Sequence, residues 1–288
     1  MTLFKDHGRD RSTSIAPMAG ASIVGRSVPR RAPLHLLSAR FQKLHDDGYF
    51  DERIAARYDE DTADLSRPEA VDPVVNFLVE LAGSGRALEF GVGTGRVALP
   101  LSRRGVPVHG IDISRAMVAK LRAKPGADAV GVTIGDFAAT RVEGAFSVVY
   151  LVFNTIMNLT TRAAQVACFH NAAAHLEAGG CFVIEVGIPG LQGLPPGETF
   201  RVFGASENYF GIDEYDVVTQ GLKSHHLKIV DGRLERFSAP YRYVWPSELD
   251  LMAQMAGMTL RERWGDWKRE PFTNDSRKHV SVWEKPGV

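Results

Sequence analysis

The sequence shows no excess of charge of either sign, because 34 lysines and arginines balance 34 aspartates and glutamates among 288 residues. With a pI of about 7.1, the protein has no overall field that would attract a polyanion or an acidic membrane. No apolar run approaches the length of about 18 residues that a membrane span requires. We therefore expect a soluble protein that binds neither nucleic acid nor membrane.

Cysteine is also scarce, with only Cys168 and Cys181 in the chain. Both lie among apolar residues and lack the C-x-x-C or Cys/His spacing of a metal site. We expect buried free thiols and a reducing, cytoplasmic location. Histidine, aspartate and glutamate likewise show no metal-ligand spacing, so no metal ion is expected.

The first 40 residues lack hydrophobic periodicity and contain many arginines, serines, glycines and prolines. This composition predicts a disordered basic tail over residues 1–40. A nucleic-acid-binding arm is the alternative. Residues 15–24 are too short and too rich in small polar side chains for the core of a signal peptide.

The sequence does contain a glycine-rich stretch over residues 87–112, typical of a buried strand, a turn, a helix and a second strand that ends in a carboxylate. Gly91, Gly93 and Gly95 alternate, so the backbone there can adopt positive φ and approach a ligand closely. A dinucleotide fingerprint runs Gly-x-Gly-x-x-Gly, whereas Arg96 occupies the position of its third glycine. The turn therefore indicates a different small molecule.

Two carboxylates flank this turn. Glu89 lies two residues before the first glycine, where it would repel a pyrophosphate but suits a ligand with a cationic group. Asp112 ends the second strand, where a carboxylate can accept hydrogen bonds from both hydroxyls of a ribose. Together these residues resemble the S-adenosylmethionine site of class I, Rossmann-like methyltransferases of the small-molecule type. The alternative is a loop-forming glycine cluster in another α/β protein.

The resemblance implies an α/β fold, a doubly wound and mostly parallel sheet with an antiparallel last strand. We assign this Rossmann-like domain to residues 41–187 and 245–288, with an N-terminal helical cover. Its elements follow from periodicity and apolar runs. Helices are predicted over residues 71–81, 114–124, 163–176 and 246–256, and strands over residues 130–134, 146–153, 181–186, 259–267 and 279–284.

The same resemblance implies the cofactor contacts. Tyr58 would contact the methionine carboxylate, unless it only anchors an amphipathic helix, and Asp136 with Phe137 would hold the adenine, unless they only form a strand-end turn. Ser114 is a helix N-cap, and Met117 lies either beside the adenine or in the core. The predicted cofactor-binding residues are Tyr58, Glu89, Gly91, Gly93, Gly95, Arg96, Asp112, Ser114, Met117, Asp136, Phe137, Leu151 and Asn154.

Catalytic candidates follow the apolar strand at residues 146–153, because polar side chains after a central strand lie over the crevice of an open α/β sheet. The family's Asn/Asp-Pro-Pro-Tyr/Phe signature for DNA bases and protein glutamine is absent here, which favours a small-molecule acceptor. Neighbouring strand residues point to opposite faces, so at most one of two adjacent histidines should face the site. The catalytic candidates are Asn154, Asn158, Glu185 and His225, with His226 and Tyr49 as further candidates for a base.

Residues 188–244 break the alternation of strands and helices and predict a small antiparallel sheet, with a turn at Asp231 and Gly232. Its strands are expected around residues 200–203, 215–220, 225–230 and 234–244. In sugar-amine and natural-product methyltransferases, which the architecture resembles, such an insertion forms the lid and acceptor pocket. A homodimer through the insertion is a further expectation. The aromatics that would either close the pocket or pack the sheet are Tyr209, Phe210, Tyr215, Tyr241 and Tyr243.

These features predict an enzyme with S-adenosylmethionine as its cofactor and an N, O or C atom of a small molecule as its acceptor, a chemistry that suits secondary metabolism. A sensor or scaffold that binds the cofactor without catalysis is one alternative. A nucleotide-linked oxidoreductase is another, although it would need the glycine that Arg96 replaces.

Overall fold

The computed structural model describes residues 49–287. The basic tail predicted over residues 1–40 lies outside this range. In chain order the elements are α1 (Glu52–Asp61), α2 (Pro68–Ala82), β1 (Ala87–Phe90), α3 (Ala98–Arg103), β2 (Val108–Asp112), α4 (Arg115–Arg122), β3 (Val130–Ile134), β4 (Phe146–Leu151), α5 (Arg162–His175), β5 (Leu176–Gly187), β6 (Phe200–Ser206), β7 (Tyr209–Asp216), β8 (Gly221–Val230), β9 (Arg233–Arg242), α6 (Pro246–Met255), β10 (Thr259–Trp264) and β11 (Lys278–Glu284).

Seven strands form the central sheet, in the order β10-β11-β5-β4-β1-β2-β3. Five neighbouring strands of the sheet, β3, β2, β1, β4 and β5, pair in parallel. Strand β11 runs antiparallel to both of its neighbours, β5 and β10. The predicted fold, mostly parallel with a reversed last strand, is confirmed. Strand order reverses at β1, so a crevice opens where the carboxyl ends of β1 and β4 diverge.

Both faces of this sheet are buried, as expected for parallel strands. Successive residues of β4 alternate between the two layers, so that Val148 and Tyr150 pack towards α2 and α3, while Val149 and Leu151 pack towards α5 and α6. Helix α2 begins with Pro68 at its first turn and ends at Gly83, whose φ of +53° permits the cap. No helix within residues 49–287 combines the length and apolarity that crossing a membrane demands.

Strands β6 to β9 form a separate antiparallel sheet in that order, called the small sheet below. The predicted turn at Asp231 and Gly232 joins β8 to β9, with φ of +50° and +72°. The strand expected over residues 215–220 is wrong, because β7 ends at Asp216. The Asp216 carboxylate accepts from the Val218 N–H at 2.9 Å and from the Thr219 hydroxyl at 2.5 Å, and these bonds close a turn.

A buried cation attaches the end of the small sheet to the helices of the central domain. Arg242, only 3% exposed, ends β9 and forms an ion pair with Glu248 of α6 at 2.6 Å. The same guanidinium donates to Gln220 at 2.7 Å and to Gln165 of α5. These three hydrogen bonds from one buried guanidinium join the end of the small sheet to α5 and α6.

Candidate functional site

A cavity of about 390 Å³ lies at the carboxyl ends of β1 and β4, beneath the small sheet. Its floor, its β4 side and its roof come from separate parts of the sequence. The floor is Glu89, Gly91, Val92, Gly93, Thr94, Arg96 and Val97; the β4 side is Val152, Phe153, Asn154, Thr155 and Asn158; the roof is Phe203, Asp213, Leu222, Ser224, His226 and Tyr241; Phe50 and Tyr58 close one side.

The glycine turn brings bare backbone to the cavity floor. Gly91 and Gly93 line the cavity with φ of +73° and +54°, values that side-chain-bearing residues rarely adopt. A Cβ on Gly91 would lie 2.7 Å from the Thr155 methyl group, and one on Gly95 would lie 2.9 Å from Leu121. Neither Gly91 nor Gly95 has room for a side chain, so the turn stays bare backbone where Gly91 and Gly93 line the cavity.

Glu89 is a buried acidic side chain in the floor of the cavity, and Arg96 is the cation that acts on it electrostatically. Glu89 is 3% exposed, accepts a hydrogen bond from the Tyr150 hydroxyl at 3.0 Å and forms no salt bridge within residues 49–287. Burial raises the pKa of Glu89 to about 8. A cationic ligand group in the cavity would satisfy this carboxylate, and the amino group of a bound methionine moiety is such a group.

Asp112 ties the glycine turn to the start of α4. One carboxylate oxygen accepts from the Gly93 N–H at 2.7 Å, and the other accepts from the Ser114 N–H at 2.8 Å. Ser114 caps α4 by accepting from the Met117 N–H at 3.1 Å, and its hydroxyl donates to the Phe50 carbonyl at 2.5 Å. Two backbone N–H groups thus hold the Asp112 carboxylate beside the glycine turn, at the end of β2.

The predicted adenine residues lie outside the cavity. Asp136 closes a turn by accepting from the Ala138 N–H at 2.8 Å, and Phe137 stacks on Phe90 with ring centroids 5.8 Å apart. Leu151 and Met117 are 0% and 3% exposed. Leu151 packs in the apolar layer under α5 and α6, so its predicted cofactor contact has no support from the side-chain placement.

Helix α1 holds Tyr58 over the glycine turn. The next residue, Asp59, accepts from the Thr94 hydroxyl at 2.6 Å and pairs with Lys124 at 2.7 Å. These bonds cross from α1 to the turn and to the end of α4, so the Tyr58 ring lines the cavity. Tyr49, a candidate base from the sequence, packs edge-on against Phe50 and does not line the cavity.

The segment after β4 carries two successive residues in the left-handed region. Phe153 and Asn154 have φ of +56° and +61°, a costly backbone for residues other than glycine. Glu185 supports it, because its side chain accepts from the Phe153 N–H at 3.1 Å and its carbonyl accepts from the Asn154 N–H at 3.2 Å. Asn154 accepts in turn from the Gly187 N–H at 2.7 Å.

These bonds change the interpretation of Glu185. Its carboxylate also pairs with Lys278 at 2.7 Å and lies outside the main cavity. It lines a second cavity of about 450 Å³, which shares Arg96, Phe153 and Asn154 with the first. The Arg96 guanidinium lies 5.2 Å from the centre of the Phe153 ring. Glu185 therefore supports the strained wall between the cavities, whereas Asn154 and Asn158 line the main cavity.

The histidine that reaches the cavity is His226, a correction to the choice of His225. Alternation along β8 turns His225 to the outer face, where its ring bonds the Ser238 hydroxyl at 2.8 Å and Glu214 at 3.1 Å. His226 lines the cavity, and its Nδ1 lies 2.8 Å from the Tyr209 hydroxyl.

The aromatic residues of the small sheet divide between the cavity and packing roles. Tyr241 lines the cavity, and burial raises its pKa well above the usual value. Tyr215 and Tyr243, 5% and 3% exposed, pack with Leu222 in a small core. Phe210 is 47% exposed on the outer face. Five further residues line the cavity although no sequence pattern predicted a site role for them: Phe50, Phe203, Asp213, Leu222 and Ser224.

Comparison with known proteins agrees with this geometry. A methyltransferase-domain family model matches residues 87–180. The CcbJ methyltransferase from Streptomyces caelestis is 37% identical, with a TM-score of 0.75 and coverage of 84% of this chain and 100% of that one. The cypemycin N-terminal methyltransferase of a Streptomyces species is 26% identical over 252 residues, covering 84% of this chain and 100% of its own.

A more distant structure shares the fold. CalS10, an amino pentose methyltransferase from Micromonospora echinaspora, was solved with S-adenosylmethionine bound, is 18% identical, and has a TM-score of 0.55 with coverage of 90% and 100%. The bare backbone of the glycine turn and the buried acidic side chain of Glu89 in the cavity floor fit that cofactor. By its sequence and structural similarity, the chain belongs to the S-adenosylmethionine-dependent methyltransferases.

Proposed function

We propose that this methyltransferase methylates the nitrogen of a small-molecule amine. The observation that carries the proposal is Asp213, a carboxylate on the inner face of the small sheet. It accepts from the Ser224 hydroxyl at 2.8 Å, and burial raises its pKa. An ammonium group in the roof of the cavity would satisfy this carboxylate, just as the methionine amino group would satisfy Glu89 in the floor.

The walls between these carboxylates are aromatic. Tyr58, Phe153 and Tyr241 line the same cavity, and aromatic faces stabilise cationic groups through their quadrupole. Such walls suit both an ammonium acceptor and a sulfonium donor, and they exclude water from the space between them. A carboxylate acceptor would be repelled by an ionised Asp213, and a phenol would form only a hydrogen bond from a neutral donor, which is weaker than one from a charged ammonium. The cypemycin enzyme, a relative by sequence, is named as an N-terminal methyltransferase.

The chain contributes mainly by alignment. Methyl transfer from a sulfonium is an in-line displacement, and alignment of the two reactants is worth about 7 to 11 kcal/mol at best. We assign the cofactor side to the glycine turn, Glu89, Asp112 and Tyr58. Asn154 and Asn158 orient the acceptor, and the small sheet, residues 188–244 in our assignment, selects it. The cofactor supplies the electrophilic methyl group.

We further assign the adenine to the region of Asp136 and Phe137, which follow β3 at the carboxyl edge of the sheet. We also propose a cytoplasmic location. Its support is that Cys168 and Cys181 are both buried and unpaired, as is usual in a reducing compartment.

The experiment uses S-adenosylmethionine with a carbon-13 methyl group and a panel of amines, phenols and carboxylic acids. The methyl chemical shift of the product distinguishes N- from O-methylation. We expect N-methylated products, and we expect Asp213→Asn to lower kcat/KM for the amine about tenfold or more with little change in cofactor affinity. Leu222→Ala, which enlarges the roof without removing a charge, serves as the control for packing. Methylation of phenols alone, unaffected by Asp213→Asn, would overturn the proposal.

A further inference from the structure

Above the catalytic cleft, one inner-face residue of the small sheet has no role in the function proposed so far. His226 lines the cavity, and its ring stacks on Phe237 with centroids 4.4 Å apart and planes 3° apart. Phe203 packs against the same ring at 5.6 Å. The Tyr209 hydroxyl lies 2.8 Å from its Nδ1. Three neighbours thus fix the orientation of one imidazole.

The strand register brings His226 next to the carboxylate that recognises the amine. Asp213 on β7 pairs with Ser224 on β8, and Gly211 pairs with His226. Asp213 and His226 are therefore diagonal neighbours on one face, and such neighbours are about 7 to 8 Å apart in an antiparallel sheet. Both side chains line the same cavity, so an ammonium group held by Asp213 would lie next to the His226 ring.

We propose that His226 is the proton acceptor that converts the bound ammonium into the nucleophilic amine, with Tyr209 as its positioning residue. The inference rests on the proposed amine acceptor. The Nε2 lone pair takes one proton from the ammonium, which gives a neutral amine and an imidazolium. The amine nitrogen then forms a bond to the methyl carbon as the sulfur–carbon bond breaks, and the imidazolium returns its proton to water after product release.

The step requires the tautomer in which Nδ1–H donates to the Tyr209 oxygen. Burial raises the pKa of the Tyr209 hydroxyl, so the phenol remains neutral and its oxygen can accept from Nδ1–H. That arrangement leaves the lone pair on Nε2. No hydrogen bond to Nε2 is made within residues 49–287. The imidazole is thus prepared to receive a proton from the cavity.

The electrostatic surroundings keep this imidazole neutral before substrate binds. Burial lowers the pKa of His226, and Lys228 and His225 on its own strand lower it further, while Asp61 on α1 acts in the opposite sense. Across the sheet, Asp213 and Tyr209 face it from β7, and β9 contributes the uncharged Phe237. A neutral histidine beside a buried carboxylate can accept a proton near neutral pH.

The test compares pH profiles of kcat/KM for an amine that the labelled-methyl screen identifies. We expect His226→Asn to reduce kcat/KM about 100-fold near pH 7, since general bases contribute 10²–10⁴-fold. The deficit should shrink at high pH, where the amine is already neutral in solution. Tyr209→Phe should give a smaller loss with the same pH trend. Cofactor affinity should stay within a few fold in both variants.

His225→Asn is the matched control, because it removes the adjacent histidine from the outer face of the same strand. Its profile should follow the wild type. A His226→Asn profile parallel to the wild type at all pH values would overturn the proposal. Nitrogen-15 NMR of the imidazole gives an independent readout: Nδ1–H supports the proposal, and Nε2–H overturns it whatever the acceptor. Wild-type activity on phenols alone would instead overturn the amine function.

Discussion

Glu89 and Asp112 show how the same functional group acquires different properties in one site. Asp112 accepts two backbone hydrogen bonds, whereas Glu89 is buried beside the Tyr150 hydroxyl, and burial is the largest influence on its pKa. Hydrogen bonds to a carboxylate favour its ionised form, and burial opposes it. Glu89 should therefore respond to pH when the cofactor binds.

Cofactor affinity should rise with pH between 6 and 8. The free Glu89 carboxyl, with a pKa of about 8, is protonated at the lower end, and binding of an ammonium group requires loss of that proton. The dissociation constant should fall by up to about tenfold per pH unit over this range. Calorimetric titration measures it, and Glu89→Gln should remove the dependence. An affinity that is flat from pH 6 to 8 in the wild type would contradict this role.

Asp112→Ala should weaken S-adenosylmethionine binding by about 1 to 3 kcal/mol, because two ribose hydroxyls lose a charged acceptor. Titration calorimetry gives the affinity, and a thermal melt of the free protein shows whether the turn survives without the bonds to Gly93 and Ser114. Asp112→Asn keeps the shape and should lose less. Equal affinity in the wild type and the alanine variant would exclude the ribose contact.

At this scale the sequence predicted the floor of the site better than its roof. The glycines, Glu89 and Asp112 lie in one short stretch, so their proximity follows from a single strand-turn-helix unit. Phe203 and Asp213 come from separate strands, and which face they occupy depends on pairing. Phe203 shares the face of Arg201, which pairs with Asp213 on β7, and this pairing across strands cannot be read from the local sequence.

Among the elements, the small sheet has two chemically different faces. The inner face carries Asp213, Ser224 and His226 to the cavity, while Phe210 on the outer face is nearly half exposed. The existence of the sheet could be predicted from alternation and turn residues. The limits of β7 could not, because Val217 and Val218 look like strand residues although the Asp216 side chain folds them into a turn.

Tyr241→Ala should lower kcat/KM for the acceptor about tenfold or more, because it removes an aromatic wall of the acceptor side. Cofactor affinity should stay within about threefold, a range too small to signal a lost cofactor contact. Phe210→Ala is the matched control, an aromatic deletion on the outer face that should leave both quantities unchanged. Equal losses of turnover in the two variants would indicate that the small sheet acts through stability alone.

For the molecule as a whole, we propose a homodimer through the outer face of the small sheet. Val202, Phe210, Ile229 and Leu234 are 59%, 47%, 46% and 66% exposed there. Four strands about 4.8 Å apart and eight residues long present roughly 500 Å², approaching the ~800 Å² per partner of a standard interface. Both charge signs occur on this face, as a two-fold, self-complementary contact allows.

Light scattering measures the molecular mass of the protein in solution and so distinguishes a dimer from a monomer. Leu234→Lys combined with Val202→Lys should convert a dimer into a monomer, because the paired copies would bury four unpaired ammonium groups. Val218→Lys, in the exposed turn after β7, is the control and should leave the mass unchanged. A wild-type monomer at high concentration would exclude this interface while leaving the cavity assignments untouched.

The buried junction at Arg242 limits how acceptor specificity can be exchanged between relatives. The small sheet can diversify along its inner face, strand by strand, without disturbing the cofactor half. The end of β9 cannot vary in the same way, because Arg242 there is hydrogen-bonded to Gln165 of α5 and Glu248 of α6, which lie outside the insertion. A chimera that exchanges the insertion at its two connecting loops would leave a guanidinium or a carboxylate buried without its partner. A transferred small sheet should therefore fold only when Arg242, Gln165 and Glu248 are transferred with it.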